Sequence, residues 1–379
     1  MKTLVNIITE DNPIPAYLFI KEKYEEGDRI MYISAKDTED DLDWLAEIDG
    51  VSASQIDEIV LKNDIDEFKY EKICRAVKAY LKKEVHYCVN LAGGTRYMAL
   101  AVQQVFEDYD SEFFYVNLED NTIVKSKFDN SIYDNDDYFY PIKYRMNIAE
   151  YLSAHELQHD IDRKKKPLYS FEMSANMFKH FSKQLFQKRD YDVMTGLRSI
   201  ISEHKRIPSI PELARMQNMH SIREFLELIE MPVWGDKLTY KQIAWITGGW
   251  FEEYMYYRVN ETIQPDEITL GIRISRKESK LRNELDVVFI KNNRLFVIEC
   301  KTGVETERKF NEIVYKACAL REALLGVSCY SYIASLKHDN TTDDLKKIAS
   351  NMDITFWDNE ILVNHLDNTL NEIKQQTVL

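Results

Sequence analysis

Five cysteines are scattered over 379 residues (Cys74, Cys88, Cys300, Cys318 and Cys329), odd in number and nowhere spaced as C-x-x-C. That excludes a disulfide framework and a cysteine zinc site. No apolar run approaches the roughly 18 residues of a membrane span, and no secretory signal pattern opens the chain, so a soluble cytoplasmic protein is expected. Excess positive charge is missing too. A formal net charge of −15 argues against general electrostatic adhesion to nucleic acid or to an anionic membrane, so any nucleic-acid chemistry must rely on local basic patches or on metal ions. What remains is ordinary: 45% hydrophobic and 30% charged residues, at a length that predicts two or three domains.

One stretch stands out, Asn283 to Gly303. Two β-branched and aromatic runs, Leu285–Ile290 and Leu295–Ile298, flank Lys291-Asn292-Asn293-Arg294, whose central asparagines tolerate the positive φ of a tight turn. This is the pattern of a β-hairpin. A turn centred between Asn292 and Asn293 sets Asp286 opposite Glu299 and Glu284 opposite Lys301, all on one face at the open end. Leu285, Val287, Phe289, Phe296 and Ile298 then share one face, and Val288, Ile290, Leu295 and Val297 the other. A pair apolar on both faces is central to its sheet, and opposed carboxylates at its end repel unless a cation lies between them. A divalent metal is the obvious candidate. The bland reading is two surface cross-strand pairs at a fraying hairpin end.

Residues 1–145 alternate apolar runs with helical patterns: Leu4–Thr9, Arg29–Ser34, Ile59–Leu61, Val85–Leu91, Phe113–Leu118 and Ile123–Phe128 read as strands, and 41–48, Phe68–Leu81 and Thr95–Tyr109 as helices. Such alternation predicts an α/β domain with a mostly parallel sheet, binding ligands at the carboxyl ends of its strands. There, Asn90-Leu91-Ala92-Gly93-Gly94-Thr95-Arg96 offers glycines for close backbone approach, a helix N-cap at Thr95 and free amides suited to phosphate. A tight turn with a cap explains the same residues. Thr9–Pro13, ending the first strand, is a second candidate loop.

The strand, Asn-Leu-x-Gly-Gly-Thr-Arg-x-Met and helix resemble the CRISPR-associated Rossmann fold, the CARF domain, through Asn90, Gly93, Gly94, Thr95, Arg96 and Met98. Thr9 and Asn12 occupy the position of that family's other ligand-contacting loop. The resemblance implies a homodimer that binds cyclic oligoadenylate, most often cyclic tetra-adenylate, across its two-fold axis.

Residues 146–235 read as a helical connector, with helices at Asn147–His159, Ser170–Phe186, Ile210–Arg215 and Ile222–Ile229. His155-Glu156-Leu157-Gln158-His159 formally matches H-E-x-x-H, in which two histidines on one helical face bind zinc and the glutamate activates water. The charge cluster that follows supplies no recognised third ligand, so a solvated helix face is the favoured reading.

Residues 236–379 follow the order αβββαβ: a long helix over Tyr240–Val259, a strand at Ile268–Ile274, the hairpin, a helix at 308–325 and a strand at 327–334. With Asp286 on the hairpin and Glu299-Cys300-Lys301 as E-x-K, this region resembles the PD-(D/E)xK nucleases, whose restriction-endonuclease-like fold carries a further carboxylate on the preceding helix, matched here by Glu253 or Glu252. The resemblance implies that Asp286 and Glu299 hold Mg²⁺ or Mn²⁺ and that Lys301 orients water or stabilises the transition state. Arg273, Arg276, Lys277, Lys280 and Arg282 make a local basic patch that could hold a backbone phosphate or simply face solvent. Glu284 is expected to position Lys301.

Together the two resemblances imply a CRISPR ancillary nuclease of type III systems: a metal-dependent endonuclease, activated by cyclic oligoadenylate, that cuts DNA and/or single-stranded RNA in antiviral defence. The alternative is a cyclic-oligoadenylate-responsive nucleic-acid-binding regulator without nuclease activity.

Overall fold

A computed structural model describes residues 1–8, 12–35, 51–61, 69–126, 138–161, 166–203, 206–276, 283–302, 307–320, 329–336 and 342–377. The expected helix at 41–48, together with Thr9, Lys277, Lys280 and Arg282, lies outside the described residues. Among those described, no helix is long and apolar enough to cross a membrane.

The amino-terminal sheet comprises β1 (Thr3–Ile8), β2 (Arg29–Ala35), β3 (Ile56–Leu61), β4 (Tyr87–Asn90), β5 (Ser111–Asn117), β6 (Thr122–Ser126) and β7 (Phe139–Pro141), in the order β3-β2-β1-β4-β5-β6-β7. The first five run parallel, β6 turns back antiparallel to β5, and β7 is antiparallel to β6. Helices α2 (Tyr70–Lys78) and α3 (Arg96–Phe106) cover one face through Ile73, Val77, Met98, Ala101 and Val102. The other face takes α1 (Ile14–Lys23), buried at every position from Ile14 to Ile20. A helix apolar all round must be enclosed on all sides. Its second neighbour is α4 (Ile148–Ala154), and beyond that lies the carboxy-terminal sheet.

That second sheet has the order β13-β12-β11-β10-β9-β8, from β8 (Leu157–His159), β9 (Glu267–Arg276), β10 (Asn283–Lys291), β11 (Arg294–Lys301), β12 (Cys329–Ser335) and β13 (Ile354–Trp357). The expected hairpin is its centre, in the expected register: Lys291 pairs with Arg294, Val288 with Val297 and Val287 with Ile298. Asn292 and Asn293 adopt φ of 46° and 63°, the left-handed values of the turn.

Between β8 and β9 come α5 (Phe171–Ser182), α6 (Lys188–Ser202), α7 (Ile210–Leu213), α8 (Ile222–Leu228), α9 (Tyr240–Ala244) and α10 (Trp250–Thr262). They build a core on the Val287–Phe289 face of the hairpin, where Phe178 stacks on Tyr254 at 4.2 Å and Phe181 on Trp250 at 4.8 Å. The sheet is completed by α11 (Glu307–Leu320), α12 (Thr342–Asn351) and α13 (Leu366–Gln376).

Three sequence expectations are corrected. The segment 147–159 is not one helix: α4 stops at Ala154, Glu156 turns left-handed at φ 57°, and Leu157–His159 becomes an edge strand on β9. The 240–259 helix is interrupted at Gly248-Gly249, where glycine's helix cost concentrates. Leu285 packs with Val288 rather than with Val287, because the two-residue alternation breaks at Asp286.

The hairpin turn is clasped by the amino-terminal domain. Asn293 is fully buried: its Oδ1 accepts from Met146 N at 2.8 Å, and its Nδ2 donates to Asn121 Oδ1 at 2.8 Å and to Tyr144 O at 3.0 Å. Asn293→Ala leaves those groups unsatisfied and puts alanine at a left-handed φ, so thermal and urea melts should report destabilisation of about 1–3 kcal/mol.

Candidate functional site

At the open end of the hairpin, Lys301 Nζ lies 2.7 Å from Glu299 Oε1 and 3.4 Å from Asp286 Oδ2. The same Asp286 oxygen accepts from Cys300 N at 2.8 Å, so its carboxylate closes the strand pair one step beyond Val287 and Ile298. Asp286, Glu299 and Lys301 are thus brought together. Burial and the neighbouring Glu299 push the Asp286 carboxyl up to about 6, against the opposing pull of Lys301. Burial works to lower Lys301, but Asp286 and Glu299 outweigh it and hold the ammonium above its ordinary value.

The break in alternation has a backbone cause. Gly271 takes φ 57° between Leu270, paired with Val287, and Ile272, paired with Leu285. Leu270 and Val287 face the helical core, whereas Ile272 and Leu285 face the core shared with α1 and α4. Both strands therefore change faces at the step that carries Asp286, where glycine alone takes such a φ without strain.

The two consecutive glutamates of α10 point in different directions, as residues about 100° apart on a helix must. Glu253 is buried and accepts from Leu168 N (2.5 Å), Tyr169 N (3.3 Å) and Trp245 Nε1 (2.8 Å), which ties α10 to the loop before α5. The structure does not bring it to the hairpin carboxylates. Glu252 instead feels the hairpin charges: burial, then Asp286, push its carboxyl up to about 8, with Glu284 and Glu299 adding to the shift and Lys301 opposing it.

Glu284, expected opposite Lys301, forms an ion pair with Arg273 of β9 at 3.6 Å. The H-E-x-x-H segment forms no helical zinc face. His155 caps α4, stacks on Tyr151 at 4.7 Å and is pushed down to about 4 by burial, whereas His159 lies on β8.

A second candidate site opens at the carboxyl ends of β4 and β5, a cleft of about 740 Å³. Asn12, Gly93, Gly94, Thr95 and Arg96 line it, as the sequence predicts of a ligand site. Asn90 lies beneath, donating to Asn6 Oδ1 (3.0 Å) and Pro15 O (3.3 Å) and accepting from Ala92 N (3.0 Å), so it shapes the loop. Thr95 caps α3 by accepting from Met98 N at 3.2 Å. The glycines are also dictated by packing: a Cβ on Gly93 would lie 2.1 Å from Ile7 O, and one on Gly94 2.3 Å from Ile7 Cγ2. Sequence reasoning missed Tyr115, Asn117 and Glu119, although the end of β5 was a signal for them. It also missed Arg294 and Tyr330, which reach the cleft from the other sheet.

Residues 3–151 match the family model described as Card1 CARF domain, and residues 240–375 match that described as Card1-like, endonuclease domain. No curated protein matches the chain significantly in sequence. Among solved structures, protein VC1899 from Vibrio cholerae is similar at a TM-score of 0.72 and 16% identity, over 99% of this chain and 98% of that one. Can2 from Sulfobacillus thermosulfidooxidans, in complex with cyclic tetra-adenylate, gives a TM-score of 0.73 and 20% identity over 98% and 100%. A type III CRISPR defence DNA nuclease activated by cyclic oligoadenylate gives 0.50 and 14%, over 88% of this chain but 45% of that one. At such identities the likeness is one of fold, and the family models carry the assignment: with a Card1 CARF domain followed by a Card1-like endonuclease domain, the chain belongs to the CARF–nuclease ancillary proteins.

Proposed function

We propose that this chain is a metal-dependent endonuclease, switched on by cyclic oligoadenylate and acting as a homodimer on DNA and/or single-stranded RNA in antiviral defence. In this reading residues 1–145 are the sensor, 146–235 the connector and 236–379 the nuclease. The observation that carries it is the Asp286–Lys301–Glu299 cluster at the end of the central hairpin of the endonuclease domain. Cyclic tetra-adenylate is the activator of choice because the cleft offers the amino terminus of α3 and Arg96 to phosphate, and because the similar Can2 was solved with that ligand.

The donor set fits a hard divalent cation. Asp286, Glu299 and Glu252 offer only oxygen, and the first and last are held above their ordinary values by burial and by neighbouring carboxylates, a strain that a cation relieves. When bound, Mg²⁺ or Mn²⁺ supplies the positive charge that makes water nucleophilic at neutral pH and offsets charge gathering on the scissile phosphate. Asp286 is oriented for its part by the Cys300 amide. Lys301, kept protonated by its two carboxylate neighbours, donates to the water or to a phosphate oxygen as charge develops.

Glu299→Ala and Lys301→Ala should each lower metal-dependent cleavage of plasmid and single-stranded oligonucleotides by about 10²–10³ or more. Cyclic tetra-adenylate affinity should be unchanged in both, and retained cleavage in both would remove the assignment. Arg96→Ala should do the reverse, weakening the activator about tenfold or more while leaving metal binding intact. Absence of cleavage with any divalent metal would favour the regulator reading.

Glu252 yields a pH-dependent expectation. Its folded value of about 8 lies above the ordinary 4.5, so the folded state holds this proton more tightly than the unfolded state does. The resulting stabilisation is full below about pH 4.5 and is lost as pH rises through 8. Metal-free Glu252→Gln should therefore melt higher than the parent chain at pH 9, with the gap closing near pH 5, and its cleavage should fall. Glu253→Gln should instead lower the melting temperature across that range by loosening the 168–169 loop.

A further inference from the structure

The cleft between the carboxyl ends of β4 and β5 is not built by the CARF domain alone. Arg294, first residue of β11 and last of the hairpin turn, lines it together with Tyr330 of β12. The guanidinium carbon sits 5.7 Å from the Tyr330 ring centroid, and Nη1 is 3.5 Å from the Tyr330 hydroxyl. Nη2 donates to Gln376 O at the end of α13. Nε is buried and has no hydrogen-bond partner among the described residues. Arg294 as a whole is only 6% exposed. A buried guanidinium donor without an acceptor is costly, and the side chain that carries it lines the cleft. Among the described residues Arg96 is the other cation lining the cleft and Glu119 its carboxylate, so Arg294 supplies half of the cationic side chains these residues offer a phosphodiester.

The position of Arg294 in the chain gives this contact a second meaning. It begins the strand that ends at Lys301, seven residues and about 23 Å away at the rise of a β-strand. That strand is central, antiparallel to β10 and parallel to β12, and buried from Arg294 to Ile298. Displacement of the turn therefore moves the strand as a unit. A ligand touching both the α3 amino terminus and Arg294 binds best in one relative arrangement of the two sheets, and its binding energy favours that arrangement.

We propose that Arg294 is a phosphate-contacting residue of the cyclic-oligoadenylate site, donated by the nuclease domain, through which occupancy of the cleft acts on the strand that carries Glu299 and Lys301. This rests on the reading of the cleft as a cyclic-oligoadenylate site. Arg294→Lys keeps the charge and most of the stem but lacks the planar fork, whereas Arg294→Met keeps only the stem. Binding of cyclic tetra-adenylate, measured by calorimetry on full-length protein with its fold verified by circular dichroism, should weaken about tenfold or more in Met and less in Lys. The affinity of the Arg294→Met variant should also depend less steeply on salt. Equal affinity in both variants overturns the proposal, whereas failure of the parent chain to bind at all would overturn the ligand reading itself. Hydrogen–deuterium exchange on the unmutated protein gives a test independent of variant folding. Cyclic tetra-adenylate should protect peptides spanning 288–298 as well as the amino terminus of α3, and protection of α3 alone overturns the proposal.

Discussion

The burial of Asn293 organises much of this molecule. One asparagine side chain satisfies a backbone amide, a backbone carbonyl and a second asparagine from the CARF domain while sitting in the turn of the nuclease hairpin. Its left-handed backbone makes the turn, and its amide fastens the turn to the neighbouring domain. From the clasp, the same two strands run uninterrupted to the carboxylate cluster. The shared core of α1, α4 and the Val288–Val297 face then removes water from the junction. The CARF and endonuclease domains are therefore joined at one hairpin, gripped at its turn and carrying the carboxylate cluster at its open end.

The open end of the hairpin is arranged against its own electrostatics. Three carboxylates and one ammonium cluster where burial weakens solvation, and the ammonium cannot offset all three. Such crowding is a cost to the fold, and under the proposed metal-dependent reading it is the preorganisation a cation would use. Glu253, one position along, shows the contrast: its three donors lie in the loop before α5 and beside the broken turn of α9, so it acts as a structural tie.

Local sequence carried the hairpin because alternation, an Asn-Asn turn and opposed charges all agree at short range. The parallel sheet, the capped helix at Thr95 and the cleft loop were legible for the same reason. Other features were decided at long range. The choice between Glu252 and Glu253 depends on the rotation of α10 against the sheet, which neighbouring residues do not encode. Leu157–His159 became a strand because β9, more than a hundred residues later, offers an edge, and Glu156 ends the helix that His155 and His159 would need. Helix α6 could have been read from Val193, Met194, Leu197 and Ile200, whose spacing is helical. Arg294 looked like an ordinary turn residue because the partners that give it meaning are at 330 and 376 and across the domain boundary.

Gly271 carries a consequence for how the sheet assembles. In a regular strand a slip of one residue exchanges the two faces as a block, and a strand apolar on both sides hardly resists it. Here β9 and β10 each change faces at one step, so Leu270 and Val287 belong to the helical core while Ile272 and Leu285, two residues along, belong to the core shared with α1 and α4. A slipped pairing would misplace the fold-over point as well as the side chains, and neither core could accept it. The glycine at the Asp286 step therefore also fixes how β9 aligns with β10, and through β10 the register of the whole central hairpin.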